Sequence, residues 1–320
     1  MCNKHQIITK NVAKDFLPKR PQDSHKYNFA HTLVIAGSKN YTGAAVLAAE
    51  GCLSVGCGLI SLAVPESIYE ITVSRIKPEI IVVSLPAEEH GSISDKAVDE
   101  VLEYIQKRKV ETICLGCGLG REEETKIFVN NLLKILVSPQ SSFPKDISII
   151  IDADGFNLLE IEDKKIKVLK NSSKKVILTP HTGEFKNLFN LNDEEFKKLQ
   201  LEPCMFVQEF AKNNNSVLVL KSSNITISDG EHIFKLNQPN SALAKGGSGD
   251  VLAGIIAGLV YQVKTYNKTL VEYNYLLKSS VLGVYLHSQA ALLGRQQKTE
   301  FCFTPTDIIQ YLPEVFKELI

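Results

Sequence analysis

The stretch KGGSGDVLAGIIAGLV, residues 245–260, joins a glycine loop to an apolar run. Gly246, Gly247 and Gly249 take three of four consecutive positions, so backbone N–H groups can approach a ligand closely. The apolar run predicts a helix, and the loop delivers its N–H groups to the start of that helix. Donors and helix dipole then aim the same way, which makes an anion site. Asp250 stands at its mouth with two readings: an N-cap or first-turn residue, or a base held beside a bound phosphate. Gly254-x-x-x-Gly258 reads as close helix packing, because the apolar run is too short to span a bilayer.

Working outward, runs rich in Val, Ile and Leu recur at 32–36, 59–64, 80–84, 112–115, 147–151, 176–178 and 217–220. Most are continuous rather than alternating. Segments of helical periodicity lie between several of them, at 95–107, 122–136 and 184–191. Continuous apolar strands separated by helices indicate a parallel sheet covered on both faces. Residues 44–64 tempt a membrane reading, but Glu50 and several glycines interrupt them. A small-residue helix over 43–55, a Gly-Cys-Gly turn and a strand over 59–64 fit better. Beyond residue 217 the pattern becomes a hairpin, 224–228 and 231–236, around Asp229-Gly230. The last third reads as helices over 250–261, 270–293 and 305–319. With no linker, repeat or low-complexity segment, residues 1–320 read as one α/β domain.

Composition excludes several classes. Lys plus Arg is 36 and Asp plus Glu is 36, so the net charge is zero. That argues against coating nucleic acid and leaves small anions open. With 44% hydrophobic and 22% charged residues the chain is globular rather than disordered. Seven cysteines, an odd number, follow a polar N-terminus without an apolar signal core, which points to free thiols in a reducing cytoplasm. The sequons at Asn40 and Asn171 carry no meaning there. Cys114-x-x-Cys117 lacks a second pair at zinc spacing and runs into the glycine turn 116–120, so it reads as small-residue packing. No G-x-x-x-x-G-K-[ST] occurs, and Arg121 stands where a dinucleotide fingerprint needs its third glycine.

In open α/β sheets ligands bind beyond the carboxyl ends of the strands. The polar residues that follow the apolar runs are Gly37-Ser38, Gly116 to Gly120, Asp152-Ala153-Asp154, Thr179-Pro180-His181-Thr182-Gly183-Glu184 and Lys221. All can face one crevice. Each has a plain alternative: His181 closing a turn after Pro180, Asp152 and Asp154 capping strand ends, Lys221 solvated at a loop start.

Taken in order, these motifs resemble the NAD(P)H-hydrate dehydratases of the ribokinase-like fold. The resemblance runs from about Leu17 to Leu312. It includes Leu17-Pro18-Lys19-Arg20, Ser24-His25-Lys26, Val34-Ile35-Ala36-Gly37-Ser38, Tyr41-Thr42-Gly43-Ala44-Ala45 and Gly116-x-Gly118-Leu119-Gly120. It continues through Ile151-Asp152-Ala153-Asp154, His181-x-Gly183-Glu184, Gly246 to Gly254 and Gly283-Val284-Tyr285-Leu286-His287. It implies a three-layer sandwich, with a mainly parallel central sheet and helices on both faces. The roughly 30 residues before His31 are too few for the epimerase domain often fused to this family. Thr182 and Cys117 each stand where proline is usual, and Thr182 implies a less rigid turn. Lys245 replaces a small polar residue and reads either as charge near phosphate or as a solvated lysine.

The resemblance further implies nicotinamide nucleotide repair: dehydration of (6S)-NADHX or NADPHX to NADH or NADPH, coupled to hydrolysis of ADP or ATP with Mg²⁺. The implied route is phosphorylation of the C6 hydroxyl and elimination of phosphate. Asp250 is then the catalytic base, expected to be ionised near neutral pH because the helix N-terminus favours its carboxylate. The N–H groups of Gly247, Ser248 and Gly249 would stabilise the transferring phosphoryl group. Ala44, Gly118, His181 and Asp250 would contact the hydrate; Lys221, Ser222, Ser223, Asn224, Ile225 and Gly249 would hold the nucleotide. Glu184 and Asp152, with Asp154 as a further candidate, would organise Mg²⁺ through water. A cytoplasmic homotetramer is expected, with no nucleic-acid or membrane partner, working beside a separate hydrate epimerase. A vitamin-precursor or sugar kinase of the same fold would share the glycine loop and Asp250. The motifs at 41–45 and 181–184 favour the dehydratase. A nucleotide-binding regulator without turnover would not need Asp250.

Overall fold

The structure, a computed structural model, describes residues 5–138, 143, 147–170, 175–270 and 272–320. Cys2, the sequon at Asn171 and residue 271 of the helix expected over 270–293 lie outside the described residues. The strands are β1 (Gln6–Ile7), β2 (His31–Ile35), β3 (Leu59–Pro65), β4 (Ile81–Leu85), β5 (Thr112–Leu115) and β6 (Ser148–Ile151). They continue with β7 (Ile161–Glu162), β8 (Lys165–Ile166), β9 (Lys175–Leu178), β10 (Ser216–Leu220), β11 (Ile225–Ser228) and β12 (Ile233–Leu236). The first six helices are α1 (Lys10–Phe16), α2 (Thr42–Leu53), α3 (Tyr69–Arg75), α4 (Val98–Arg108), α5 (Glu123–Val137) and α6 (Ala153–Asn157). The rest are α7 (Thr182–Leu188), α8 (Asp193–Leu201), α9 (Pro203–Asn213), α10 (Ser248–Tyr266), α11 (Tyr275–Cys302) and α12 (Pro305–Leu319).

Ten strands form one sheet in the order β1-β12-β11-β10-β9-β6-β5-β2-β3-β4, and β7 pairs only with β8. β11 runs antiparallel to both its neighbours, and every other pairing in the large sheet is parallel. The central strands β2, β5, β6 and β10 are buried at every residue because both faces are covered. In β6, Ile150 enters the core beneath α1, α2, α10, α11 and α12, while Ile149 and Ile151 enter the core beneath α4, α5, α7 and α9. Burying one such side chain contributes about 1.5–3 kcal/mol, so a polar residue on either face of a central strand would be costly. This is the α/β sandwich expected from the unbroken apolar runs.

The small residues of α2 have a structural cause. A Cβ on Gly51 would lie 2.7 Å from the Val251 carbonyl oxygen, and one on Gly254 would lie 2.0 Å from that of Ala48. The backbones of α2 and α10 therefore touch, which fixes the glycine loop against the sheet. Several boundaries differ from the expectations. α10 begins inside the loop at Ser248, because Gly247 adopts φ +98° as its N-cap, and it runs on to Tyr266. α11 begins only at Tyr275, capped by the Asn274 side chain, and extends to Cys302 through a non-helical Thr299. α7 starts at Thr182 because His181 caps it. The hairpin turn spans four residues, with the Asp229 carboxylate accepting from the N–H groups of Glu231 and His232. The short edge strand β1 had no signal in the sequence pattern.

Candidate active site

Chain order reverses beside β2. After β2 the chain moves to β3 and β4 on one side, then returns to β5 on the other. The loops leaving β2 and β5 diverge, and a crevice opens at their carboxyl ends. It holds a cleft of about 570 Å³ lined in part by Ser38, Ala44, Gly118, Arg121, Gly247 and Asp250. Ala44 and Gly118 are in contact: a Cβ on Gly118 would lie 2.8 Å from that of Ala44. The cleft thus unites three of the expected hydrate contacts, Ala44, Gly118 and Asp250.

The glycine loop meets this cleft at the head of α10. Gly247 has φ +98°, and a Cβ there would lie 2.6 Å from Leu47 Cδ1, so both backbone and space call for glycine. The first N–H groups of a helix lack intrahelical acceptors. The Ser248 N–H, expected among the anion donors, is already engaged by the Lys245 carbonyl at 3.3 Å. Gly249 faces the neighbouring charges: a Cβ on it would lie 3.1 Å from Lys221 Nζ and 3.6 Å from Asp152 Oδ2.

Asp250 sits in the first turn of α10, and no side chain caps that helix. Of the plain reading, N-cap or first-turn residue, the first-turn half is met and the N-cap half is not, since Gly247 is the N-cap. The Asp250 carboxylate, the Cys117 thiol and the Asp152 carboxylate bring their ligand atoms within 4.8 Å of one another. Burial, then the charge on Asp152, pushes Asp250 up to about 7, against the opposing pull of Cys117 and Lys221. The expectation of an Asp250 fully ionised near neutral pH is thereby corrected: desolvation and a like charge outweigh the helix N-terminus. The Cys117 thiol is pushed well up by its hydrogen bond with Cys114, by burial and by Asp250. It stays protonated beside Asp250, a placement the sequence reading missed when it assigned Cys117 to packing alone. Both cysteines are free and buried.

Lys221 is not solvated. Its Nζ lies 2.6 Å from Asp152 Oδ1, with the lysine side chain 18% and the aspartate side chain 1% exposed. Burial pulls the ammonium down, but the charges of Asp152 and Glu184 outweigh it and hold it above its usual value. Thr179 Oγ1 donates to the same Asp152 oxygen at 2.7 Å. Asp152 caps neither strand nor helix with its side chain; it anchors Lys221. Asp154 accepts from the Gly120 N–H at 3.1 Å and pairs with Arg121 at 3.0 Å. It shapes the glycine turn, which leaves it poorly placed as a magnesium candidate.

Lys221 and His181 are joined by backbone. Lys221 N–H donates to the Pro180 carbonyl, and Thr182 N–H to the Lys221 carbonyl. A proline at 182 has no such N–H, so Thr182 adds a tie between β9 and β10 rather than loosening the turn. His181 caps α7: its Nδ1 accepts from the Glu184 N–H at 3.1 Å, and Glu184 Oε2 accepts from the His181 N–H at 2.7 Å. The turn-closing reading of His181 is thus met, and its ring lies off the lining of the cleft. Ser222, Ser223 and Asn224 follow Lys221 in the loop to β11, which Ile225 begins, and all four lie off that lining. Asn224 Oδ1 is buried without a hydrogen-bond partner there. Lys245 points away from the cleft, donating to the carbonyls of Phe301 and Phe303. The solvated reading of Lys245 is replaced by these two contacts.

Among the described residues one group of metal-capable side chains converges: Cys117, Asp152 and Asp250, with ligand atoms within 4.8 Å of one another. For magnesium the donor chemistry favours oxygen and few carboxylates. Asp152 Oδ1 is spent on Lys221 and Thr179, which leaves Oδ2, and Glu184 is engaged in its capping box. These carboxylates fit Mg²⁺ bound through water. Among the described residues no helix is long and apolar enough to cross a membrane.

A parallel sheet reversing at β2, with a glycine loop heading α10 over that crevice, defines a ribokinase-like α/β protein. Within that class, the chain belongs to the NAD(P)H-hydrate dehydratase family, whose profile matches residues 32–314. It is 31% identical to the bifunctional NAD(P)H-hydrate repair enzyme Nnr of Moorella thermoacetica, over 98% of this chain and 54% of that protein. The chain spans about half the length of the curated relatives it matches. A ribokinase-like superfamily protein of Enterococcus faecalis superposes with TM-score 0.74 at 26% identity, covering 98% of this chain and 96% of that one. The ADP/ATP-dependent NAD(P)H-hydrate dehydratase of Bacillus subtilis, co-crystallised with ATP and Mg²⁺, superposes with TM-score 0.77 at 23% identity. That pair covers 99% of this chain and all of the other, and the likeness is one of fold.

Proposed function

We propose that this protein restores NADH and NADPH from their 6-hydroxylated hydrates, using ADP or ATP as phosphoryl donor. The observation that carries this reading is Asp250: a half-buried carboxylate, raised to about 7, at the head of α10 and on the wall of a cleft shared with Ala44 and Gly118. Its carboxylate takes the proton of the C6 hydroxyl as that oxygen attacks the terminal phosphoryl group and the bond to the leaving nucleotide breaks. A base near pKa 7 suits this transfer at neutral pH. The amides of Gly247 and Gly249 stabilise the charge on the transferring group; one such preorganised donor contributes about 3–4 kcal/mol. Lys221 adds a fixed positive charge beside Gly249. The ring nitrogen lone pair then expels phosphate from C6, and loss of a C5 proton restores the dihydropyridine. Asp152 and Glu184 would hold Mg²⁺ through water, and the ion would supply charge neutralisation on the phosphates.

Purified protein mixed with NADHX, Mg²⁺ and either ADP or ATP tests this. Absorbance at the reduced-nicotinamide band should recover with at least one nucleotide. No recovery with either contradicts the reading, and a stable phosphorylated alcohol as product would mark a kinase instead.

A further inference from the structure

The glycine loop is held from behind by a single helix, α11, at two points. Lys245 begins the loop, and its ammonium donates to the Phe301 carbonyl at 2.8 Å and to the Phe303 carbonyl. These carbonyls lie at the end of α11, past the non-helical Thr299. The last carbonyls of a helix lack intrahelical donors, and its C-terminus favours a cation, so Lys245 satisfies both needs. At the other end of the loop, His287 lies 2.9 Å from the Ser248 carbonyl through Nε2. A carbonyl only accepts, so Nε2 carries the proton. His287 is 4% exposed, and its Nδ1 has no partner among the described residues. Burial pushes the imidazole down to about 4, so it stays a neutral donor. Between the two points, Gly247 is wedged against Leu47 and Pro305.

The peptide unit explains why this matters for the cleft. It is planar, so the Ser248 carbonyl and the Gly249 N–H point in opposite directions. Holding the Ser248 carbonyl toward α11 therefore fixes the Gly249 N–H to point away from α11.

We propose that Lys245 and His287 are positioning residues that clamp the loop 245–250 onto α11 and so aim its amides, without touching the ligand themselves. Only the identity of the ligand rests on the function proposed above.

Hydrogen exchange on the full chain tests the clamp directly. The reporters are the amides of Val251, which donates to the Gly247 carbonyl at 3.1 Å, and of Leu252, one helical turn beyond Ser248. Lys245→Met and His287→Ala should each speed their exchange about tenfold, as a local opening does. Amides of β2 should keep their wild-type rates. His287→Gln, which retains a donor at similar reach, should restore slow exchange at 251–252. Wild-type rates at 251–252 in both Lys245→Met and His287→Ala would overturn the proposal. So would an equal rise across β2. If His287→Ala does not fold, Lys245→Met decides alone. With NADHX as substrate, the loosened variants should lose kcat about five- to tenfold at unchanged KM for the hydrate. Exchange that behaves as expected, in a protein inactive on NADHX, would keep the clamp and reject the function.

Discussion

The head of α10 and the ends of β9 and β10 face each other across Gly249, yet they are built from different materials. The first is backbone: glycines at 246, 247 and 249, with φ +98° at Gly247 and Gly246 and Gly247 on the lining of the cleft. The second is side chain: Lys221 locked to Asp152 at 2.6 Å, Asp152 held by Thr179, and Glu184 tied into a capping box with His181. Asp250 sits at the seam, belonging to the loop by sequence and to the charged cluster by its surroundings. A backbone anion site excludes a side chain where the chain turns at Gly247 and needs no charge balance. A cluster with one buried and one half-buried carboxylate around one ammonium leaves a charge to compensate, and raising Asp250 to about 7 is how the fold does so.

The contrast breaks most visibly at the seam. Asp250→Asn should keep nucleotide binding and lose turnover by roughly 10³-fold, as removing a general base does. Single-turnover recovery of NADH and a nucleotide titration measure the two separately, and near-normal turnover would take Asp250 out of the mechanism.

The backbone side has its own pH signature through His287. Its imidazole is pushed down to about 4 by burial, whereas an unfolded imidazole titrates near 6.5. As pH falls below 6.5 the unfolded chain takes up a proton that the native state refuses. Stability is therefore complete above about pH 6.5 and drops by about 3 kcal/mol on approach to pH 4. Thermal unfolding between pH 4 and 7 should show this slope in the wild type and a shallower one in His287→Gln. Equal slopes would deny His287 the effect.

Gly247→Ala should destabilise by about 2 kcal/mol through left-handed strain and displacement of Leu47. Gly246→Ala, with nothing within 4 Å of the new methyl group, should change stability little. Equal melting temperatures for the two variants would show that the loop is not wedged.

The smallest expected effect sharpens the charged side. The base must be ionised, so kcat/KM should fall about tenfold per pH unit below about 7. Asp152→Asn removes the like charge facing Asp250 and should move that inflection to lower pH by roughly one unit. An unmoved or raised inflection would leave burial alone as the cause.

The same contrast governs what the sequence made legible. Backbone sites are written locally. Glycine spacing and a following apolar run placed the loop at a helix start, and α12 was read to the residue because Pro305 and Thr304 mark its beginning. The unbroken apolar runs gave the parallel sheet, since burial on both faces removes alternation. Side-chain sites are written across distance. Asp152 and Lys221 are 69 residues apart and meet only because β6, β9 and β10 are neighbours. The Cys117–Asp250 contact and the turning of Lys245 onto α11 depend likewise on how helices pack over the sheet. Local pattern carried no trace of them. The one hint for Cys117 was its place in a glycine turn at the end of β5, across the crevice from the loop.

The central claim is that the C6 oxygen attacks phosphorus before it leaves carbon. NADHX carrying oxygen-18 in its C6 hydroxyl tests this most directly, with the released phosphate analysed by mass after complete turnover. The label should be found in phosphate, one atom for each NADH recovered. Label found in water, with unlabelled phosphate, would contradict it and mean that nucleotide hydrolysis and dehydration never share an intermediate.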